Sequence, residues 1–226
     1  MIKRIIAMLT ALNMLAAAGF SAVYANEYQS ESIQNKINFV EALEIMHSDN
    51  DGNFMPDSFI TRLDTAEIAV KMRGIQPAGS TEPSFSDIAL LTDEEKATIE
   101  FVSGSGFMRG FPDGTFGAEE YVSYNEFMKV MVCVLGYGIP AEQNGGYPNG
   151  YAMQASELRI TDSAAAYRGD EPITKGHAAL FVYNALKAPC GYYKTNGSGV
   201  ITLERGKSLL EEVHHIYKKS GYVDGI

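Results

Sequence analysis

Apolar residues recur along most of this chain at the three- and four-residue spacing that is typical of amphipathic helices. Ile37, Val40 and Leu43 begin this pattern. Further stretches with the same spacing occupy residues 62–73, 93–108, 124–135 and 175–186, and a shorter one ends near residue 158. Loops rich in glycine and polar residues separate these stretches. The pattern therefore predicts a helix, a loop and a second helix, three times over.

An eleven-residue stretch repeats with its landmarks at fixed offsets. Residues 51–54 read DGNF and lead to ITRLD at 60–64, and the same features follow 62 positions later, with DGTF and VSYNE. A third copy has an altered loop and keeps ITKGH at 173–177. Such internal repetition predicts small units that cover one another's apolar faces within one body.

Each copy places a hydroxyl residue where a helix is predicted to begin, namely Thr61, Ser123 and Thr174. In the first two copies an acid follows three residues later, Asp64 and Glu126, which is the spacing of a capping box. The hydroxyl accepts a hydrogen bond from the first helical turn, and the acid accepts one from the N–H of the capping residue. We therefore assign both acids to helix capping rather than to catalysis.

The residues after these caps are the candidates for ligand binding: Arg62, Tyr124 and Lys175. A cation beside the exposed N–H groups of a helix N-terminus can hold an anion. A single such residue is more often an ordinary surface cation, but its recurrence makes ligand binding an equal alternative at Arg62 and Lys175. Tyr124 offers a hydroxyl group and an aromatic face instead, which suits stacking on a sugar ring.

The Asp-Gly loops do not read as calcium sites. In the second loop an EF-hand alignment places Arg109 in the first ligand position, where a cation is incompatible with metal binding. Gly52 and Gly114 are instead predicted to form tight turns that direct Phe54 and Phe116 inward. No metal or cofactor is predicted.

Residues 1–25 have the features of a secretory signal peptide. Lys3 and Arg4 precede an apolar run, and Ala25 ends a small-residue cleavage pattern. An uncleaved anchor is the alternative, but the run is short for a membrane span. We expect a secreted protein without a transmembrane span after cleavage.

The charge of the remaining chain limits its partners. Removing residues 1–25 takes away two of the 18 basic residues and none of the 28 acidic ones, which leaves a net charge of −12. A chain this acidic repels nucleic acid, so nucleic acid is excluded as a partner. An anionic sugar polymer would have to meet cations placed locally on the surface.

Cys133 and Cys190 leave two possibilities open, a single disulfide or two free thiols. The apolar surroundings of Cys133 favour free thiols, because a buried thiol behaves as a small hydrophobe.

The repeats divide the chain after the signal peptide into four segments. Repeat 1 spans residues 26–76, repeat 2 spans 83–138, repeat 3 spans 139–190, and a C-terminal extension spans 191–226. The polar start of repeat 1, residues 26–36, is expected to be flexible. A helix is predicted from about Glu204 to Lys219, and the last residues have the composition of a strand, so the extension is a candidate for the start of a further domain.

The motifs together resemble the repeat of the S-layer homology (SLH) family. The resemblance rests on the string GFMRGFPDGTF at 106–116, on the Phe-x-Asp opening at 85–87 and on the Thr-Arg helix start of repeat 1. It covers about residues 37–188 and is closest in repeat 2. It implies a mainly all-α fold in which three helix-loop-helix repeats form a pseudo-threefold spindle, followed here by the helical tail.

The same resemblance implies a function. Grooves between SLH repeats bind negatively charged secondary cell-wall polysaccharide linked to peptidoglycan, and the arginine of the helix-start motif contacts the polymer. Arg62 matches that arginine, Lys175 replaces it conservatively, and Tyr124 departs from it. The chain also has no tryptophan, which family members often carry in the first helix.

The leading hypothesis is a non-catalytic anchor, located at the cell wall or S-layer surface, that binds a wall polysaccharide or another peptidoglycan-linked glycan. One alternative is a degenerate SLH module that contacts another surface protein without binding glycan. A second alternative is an exported glycan-active enzyme. Such an enzyme needs two carboxylates in a cleft, and the sequence offers many acids without a defined pair.

Overall fold

The computed structural model describes residues 31–78, 84–162 and 168–215. These residues form eight helices and two strands, so the predicted, mainly helical class is confirmed. The elements are α1 Glu31–Ala42, α2 Arg62–Met72, α3 Asp93–Gly104, α4 Tyr124–Val134, α5 Gly138–Gln143, α6 Asn149–Glu157, α7 Lys175–Lys187, β1 Pro189–Thr195, β2 Ile201–Ser208 and α8 Leu209–Glu212. The predicted signal peptide and the last eleven residues lie outside the described part of the chain.

The helices of the three repeats interlock in a ring. The first helix of each repeat packs on the second helix of the repeat before it: α3 packs on α2, α6 on α4, and α1 on α7. The second helices α2 and α7 both contact α4. One continuous hydrophobic core runs through all three repeats. Within the described residues, the second helix of each repeat thus packs against the first helix of a neighbouring repeat, which is the mutual covering that the repeated pattern predicts.

A triangle of backbone hydrogen bonds joins the loops that precede the three second helices. The N–H of Ile60 donates to the carbonyl of Ile173 at 3.3 Å, that of Ile173 to Val122 at 2.8 Å, and that of Val122 to Ile60 at 3.1 Å. All three residues are buried. Because the three bonds form a closed triangle, the N-terminal ends of α2, α4 and α7 meet around one point. We call this end of the molecule the apex.

The Asp-Gly loops form the turns that their sequences predict. Gly52 and Gly114 have φ values of +80° and +86°, a backbone region that favours glycine. Phe54 is 9% exposed and Phe116 is fully buried, so both rings fill the core beneath their turns.

Two boundaries differ from the sequence expectation. Helix α1 begins at Glu31, within the segment 26–36 that was expected to be flexible, because Ile33 and the buried Ile37 pack on the core. The helix predicted from Glu204 to Lys219 is wrong at its start. Ile201–Ser208 pairs with Pro189–Thr195 as an antiparallel strand, and only Leu209–Glu212 is helical within the residues described there.

The C-terminal tail packs on the ends of the second helices that lie opposite the apex. The N–H of Gly191 donates to the carbonyl of Leu135 at 2.8 Å, just after α4. Val213 contacts Gly74, just after α2. The tail therefore joins all three repeats, since it leaves directly from α7.

The cysteines are two free thiols; Cys133 is half-buried and Cys190 is buried. Burial raises the pKa of both thiols, as expected for cysteines that act as small hydrophobes. Across residues 31–78, 84–162 and 168–215, every helix is too short or too polar to cross a membrane.

Candidate functional site

The three second helices begin with side-chain caps. The hydroxyl of Thr61 accepts from the N–H of Asp64, whose carboxylate accepts from the N–H of Thr61 at 2.7 Å. Ser123 and Glu126 repeat this arrangement. Thr174 caps α7 through the N–H of His177. The caps fix where each helix starts, and they thereby fix the position of the residue that follows.

The remaining N–H groups of these helix ends are not available to a ligand. In each helix the first two N–H groups donate to carbonyl groups in the loop of a neighbouring repeat. The bonds run from Arg62 to Glu120, Leu63 to Ala118, Tyr124 to Glu171, Asn125 to Gly169, Lys175 to Ser58 and Gly176 to Pro56, at 2.7–3.1 Å. The sequence-based idea that free N–H groups of these helices help to hold an anion is therefore wrong. Any anion has to be held by side chains.

Arg62 lies between repeats 1 and 2 and is 6% exposed. Its Nε donates to the carbonyl of Phe116 at 2.8 Å and its Nη2 to that of Arg109 at 2.6 Å. Its guanidinium also lies 3.7 Å from Glu126 and stacks on Phe111 and Phe116. Burial lowers the pKa of Arg62 and the nearby carboxylates oppose that effect. The group remains a cation, because the ordinary pKa of arginine is far above neutrality.

Lys175 occupies the equivalent place between repeats 3 and 1. Its Nζ donates to the carbonyl of His47 at 2.6 Å and lies 4.8 Å from the centre of the Phe54 ring. His47 and Phe54 precede Arg109 and Phe116 by 62 positions. Both predicted cations therefore bridge two repeats through the same pair of contacts.

Tyr124 does not reach the surface. It is 1% exposed, its hydroxyl hydrogen-bonds to Nδ1 of His177, and its ring meets the edge of Phe181. The expectation that Tyr124 stacks on a sugar is overturned, because the tyrosine fills the core between repeats 2 and 3.

Two grooves of the same kind open beside the cations. Groove B lies between repeats 1 and 2 and encloses about 220 Å³; its lining includes Arg62, Phe107, Arg109, Glu126, Lys129 and Tyr147. Groove A lies between repeats 3 and 1 and also encloses about 220 Å³; its lining includes Ile45, His47, Asp64, Glu67, Lys71 and Lys175. Most of these positions match across the grooves with a shift of 62 residues.

The grooves differ in charge. Groove B is lined by three cations and one carboxylate, whereas groove A is lined by two lysines, two carboxylates and a histidine. The difference is concentrated at one pair of equivalent positions, where Lys129 in groove B corresponds to Glu67 in groove A. Groove B therefore has the stronger attraction for an anion.

Sequence reasoning did not identify Arg109, Lys129 and Tyr147 as groove residues. The signal was present in the 62-residue shift, because it aligns Arg109 with His47 and Lys129 with Glu67. These three residues line the same groove because of the way neighbouring repeats pack, and that packing cannot be read from the separate motifs.

The loop that forms one wall of groove B is fixed by Asp87, from the Phe-x-Asp opening of repeat 2. Its carboxylate accepts from the N–H groups of Phe116 at 2.8 Å and Gly117 at 2.7 Å. Burial acts to raise the pKa of Asp87, but the two backbone hydrogen bonds hold it below its usual value. The opening motif thus positions the carbonyl that binds Arg62.

Two of the three repeats match a known family of domains in comparison with known proteins. Residues 30–66 and 84–128 match the S-layer homology domain. The chain is 29% identical over 170 residues to the middle cell wall protein of Brevibacillus brevis, covering 72% of this chain and 16% of that protein. It is 28% identical over 132 residues to the surface layer protein of Brevibacillus choshinensis, covering 57% of this chain and 12% of that protein. It is 33% identical over 84 residues to cell surface glycoprotein 1 of Acetivibrio thermocellus, covering 36% of this chain and 4% of that protein. The chain thus spans a small part of these relatives.

Proposed function

We propose that this chain, which carries S-layer homology domains, is a non-catalytic anchor that holds a protein at the cell surface by binding an anionic wall polysaccharide in groove B. The chain is a secreted, cell-surface protein, in keeping with its domains and with relatives that are named as cell-wall and surface-layer proteins.

The charge of groove B is the observation that carries this proposal. The chain has a formal net charge of −10, so an anionic polymer is repelled by most of its surface. Groove B collects three cations around one carboxylate, in a cavity large enough for a sugar unit. Phe107 and Tyr147 add apolar surface to its lining, as expected for a site that binds a ring with a charged substituent.

Groove A makes a weaker second contact in this proposal. Its two lysines are balanced by two carboxylates, so it has little net attraction for an anion. A second contact on the same rigid body still strengthens attachment, because a polymer held in groove B is present at high effective concentration at groove A.

A charge swap between equivalent positions tests the proposal. We expect Lys129→Glu to reduce co-sedimentation of the purified protein with cell walls by about tenfold or more, because it gives groove B the charge balance of groove A. Glu67→Lys is the matched control and should increase binding. Walls from which the secondary polymer has been extracted should bind neither variant.

Two results would contradict the proposal. Equal binding to extracted and intact walls would mean that the polymer is not the ligand. Unchanged binding by a folded Lys129→Glu variant would mean that groove B is not the site. If the protein binds no wall preparation but captures a second surface-layer protein, the interaction-module hypothesis is correct instead.

A further inference from the structure

Two aromatic side chains are exposed at the apex and contact each other. Phe59 is 44% exposed and Tyr121 is 60% exposed. Their ring centres are 5.4 Å apart, with 57° between the ring planes. Single exposed aromatics are common on protein surfaces, but a contacting pair that presents apolar faces to solvent often marks a binding surface.

The position of the aromatic pair follows from the pseudo-threefold arrangement of the repeats. Phe59 and Tyr121 are equivalent residues, 62 positions apart, and the exposed Pro172 takes the same place in repeat 3. Isolated β-bridges hold all three positions: Phe59 to Thr174, Tyr121 to Thr61, and Pro172 to Ser123. Each position directly precedes a member of the buried backbone triangle. The aromatic pair is therefore mounted on a rigid support, which lowers the entropy lost on binding.

The surroundings of the pair are acidic. An exposed carboxylate lies two residues before each of the three apex positions; these acids are Asp57, Glu119 and Asp170. Glu120 and Glu171 add two more exposed carboxylates to the same turns. An anionic group is repelled by such a surface. Ionised carboxylates only accept hydrogen bonds, so they suit a ligand that is rich in hydroxyl donors.

The apex is continuous with both grooves. Phe59 is part of the lining of groove A, and Val122, which follows Tyr121, is part of the lining of groove B. A polymer that occupies one groove and extends towards the other passes over the aromatic pair.

We infer that Phe59 and Tyr121 form a stacking platform for an uncharged sugar ring of the wall polymer, with the nearby carboxylates accepting its hydroxyl hydrogen bonds. This inference rests on the proposed function for the identity of the polymer. It assigns charged sugar substituents to groove B and neutral sugars to the apex.

The test is calorimetric titration of the full chain with wall polymer in two forms, native and chemically stripped of its anionic groups. We expect the double variant Phe59→Ala/Tyr121→Ala to bind both forms about tenfold more weakly, because it loses stacking surface. Lys129→Glu should weaken binding of the native form alone. Met153→Ala removes a side chain that is 55% exposed on α6 and should change neither affinity.

The outcomes separate this inference from the proposed function. If Lys129→Glu weakens binding of the native polymer and the double variant binds like the unmodified protein, the platform is overturned and groove B stands. If the double variant loses affinity for the native form only, the platform does not bind neutral sugar. If the unmodified protein binds neither form, both proposals fail.

Discussion

Arg62 has two roles that meet in one side chain. It lines groove B, and it donates hydrogen bonds to two carbonyl groups of repeat 2. Removing this buried cation takes a hydrogen-bond donor from both carbonyl groups and takes the neighbouring positive charge from the Glu126 carboxylate. Arg62 is therefore needed for the packing of repeats 1 and 2 as well as for the charge of groove B.

We predict that Arg62→Ala lowers the free energy of unfolding by about 2–4 kcal/mol, through the loss of buried, charged hydrogen bonds. Urea unfolding followed by circular dichroism measures this change. Arg109→Ala is the matched control, because the side chain of Arg109 is exposed and its carbonyl remains in place. It should change stability by less than about 0.5 kcal/mol. Equal unfolding midpoints for the two variants would show that Arg62 does not join the repeats.

Helix caps could be predicted from local sequence motifs, whereas the burial of the residues that follow them could not. Thr61, Ser123 and Thr174 occur as caps because the signal is local: each hydroxyl accepts from the first helical turn, and Asp64 and Glu126 complete the capping box in the first two helices. The burial of Arg62 and Tyr124 is not a local property. It depends on the loop of the next repeat, which folds over the first turn of the helix and takes its N–H groups.

At the scale of elements, each second helix is fixed at its N-terminal end by another part of the chain, and α2 and α4 are fixed at their C-terminal ends as well. At the N-terminal end a neighbouring loop covers the first turn. At the C-terminal end Gly74 and Gly136, equivalent residues with φ of +61° and +88°, stop α2 and α4. The tail packs against both glycines: a Cβ on Gly74 would lie 2.6 Å from a methyl group of Val213, and one on Gly136 would lie 2.3 Å from the carbonyl oxygen of Gly191.

Gly136→Ala should therefore destabilise the protein more than an ordinary glycine substitution. Gly114→Ala is the control, since Gly114 has nearly the same φ, +86°, and a Cβ added there would meet no atom within 4 Å. We expect about 1–2 kcal/mol for Gly114→Ala from backbone strain alone. Gly136→Ala should add about 1–3 kcal/mol, because the tail must move. Equal losses in thermal unfolding would show that the tail does not pack against α4.

Helices were predictable from the sequence and the tail was not, for a physical reason. The helices have apolar residues at regular helical spacing, and these same residues make the tertiary contacts of the core. In the tail, Leu209 and Val213 have helical spacing and suggested a helix that begins several residues too early. The strand at 201–208 is almost entirely exposed, so its residues show no alternation between buried and exposed positions. It pairs with residues 189–195 across the short loop at 196–200, so the hairpin is local, but no buried face marks it in the sequence.

At the scale of the whole molecule, the order of packing makes the repeats interdependent. Helix α1 of repeat 1 packs on α7 of repeat 3, so the first and last repeats close the ring. Grooves A and B lie at interfaces between repeats and exist only in the closed ring. The separate motifs predict three units and a shared core, but they do not state which helix covers which.

We predict that the chain unfolds in a single transition, with equal calorimetric and van't Hoff enthalpies, because each repeat exposes an apolar face when its neighbour is lost. The tail belongs to the same transition, since it contacts the ends of α2 and α4. Repeat 2 alone, residues 83–138, should not fold: its helix α4 would lack α6, and its helix α3 would lack α2. A folded, cooperative fragment 83–138, or two separate calorimetric transitions for the whole chain, would contradict this prediction. Either result would mean that the grooves lie between independent domains, and a wall polymer could then be released by separating two repeats without unfolding either one.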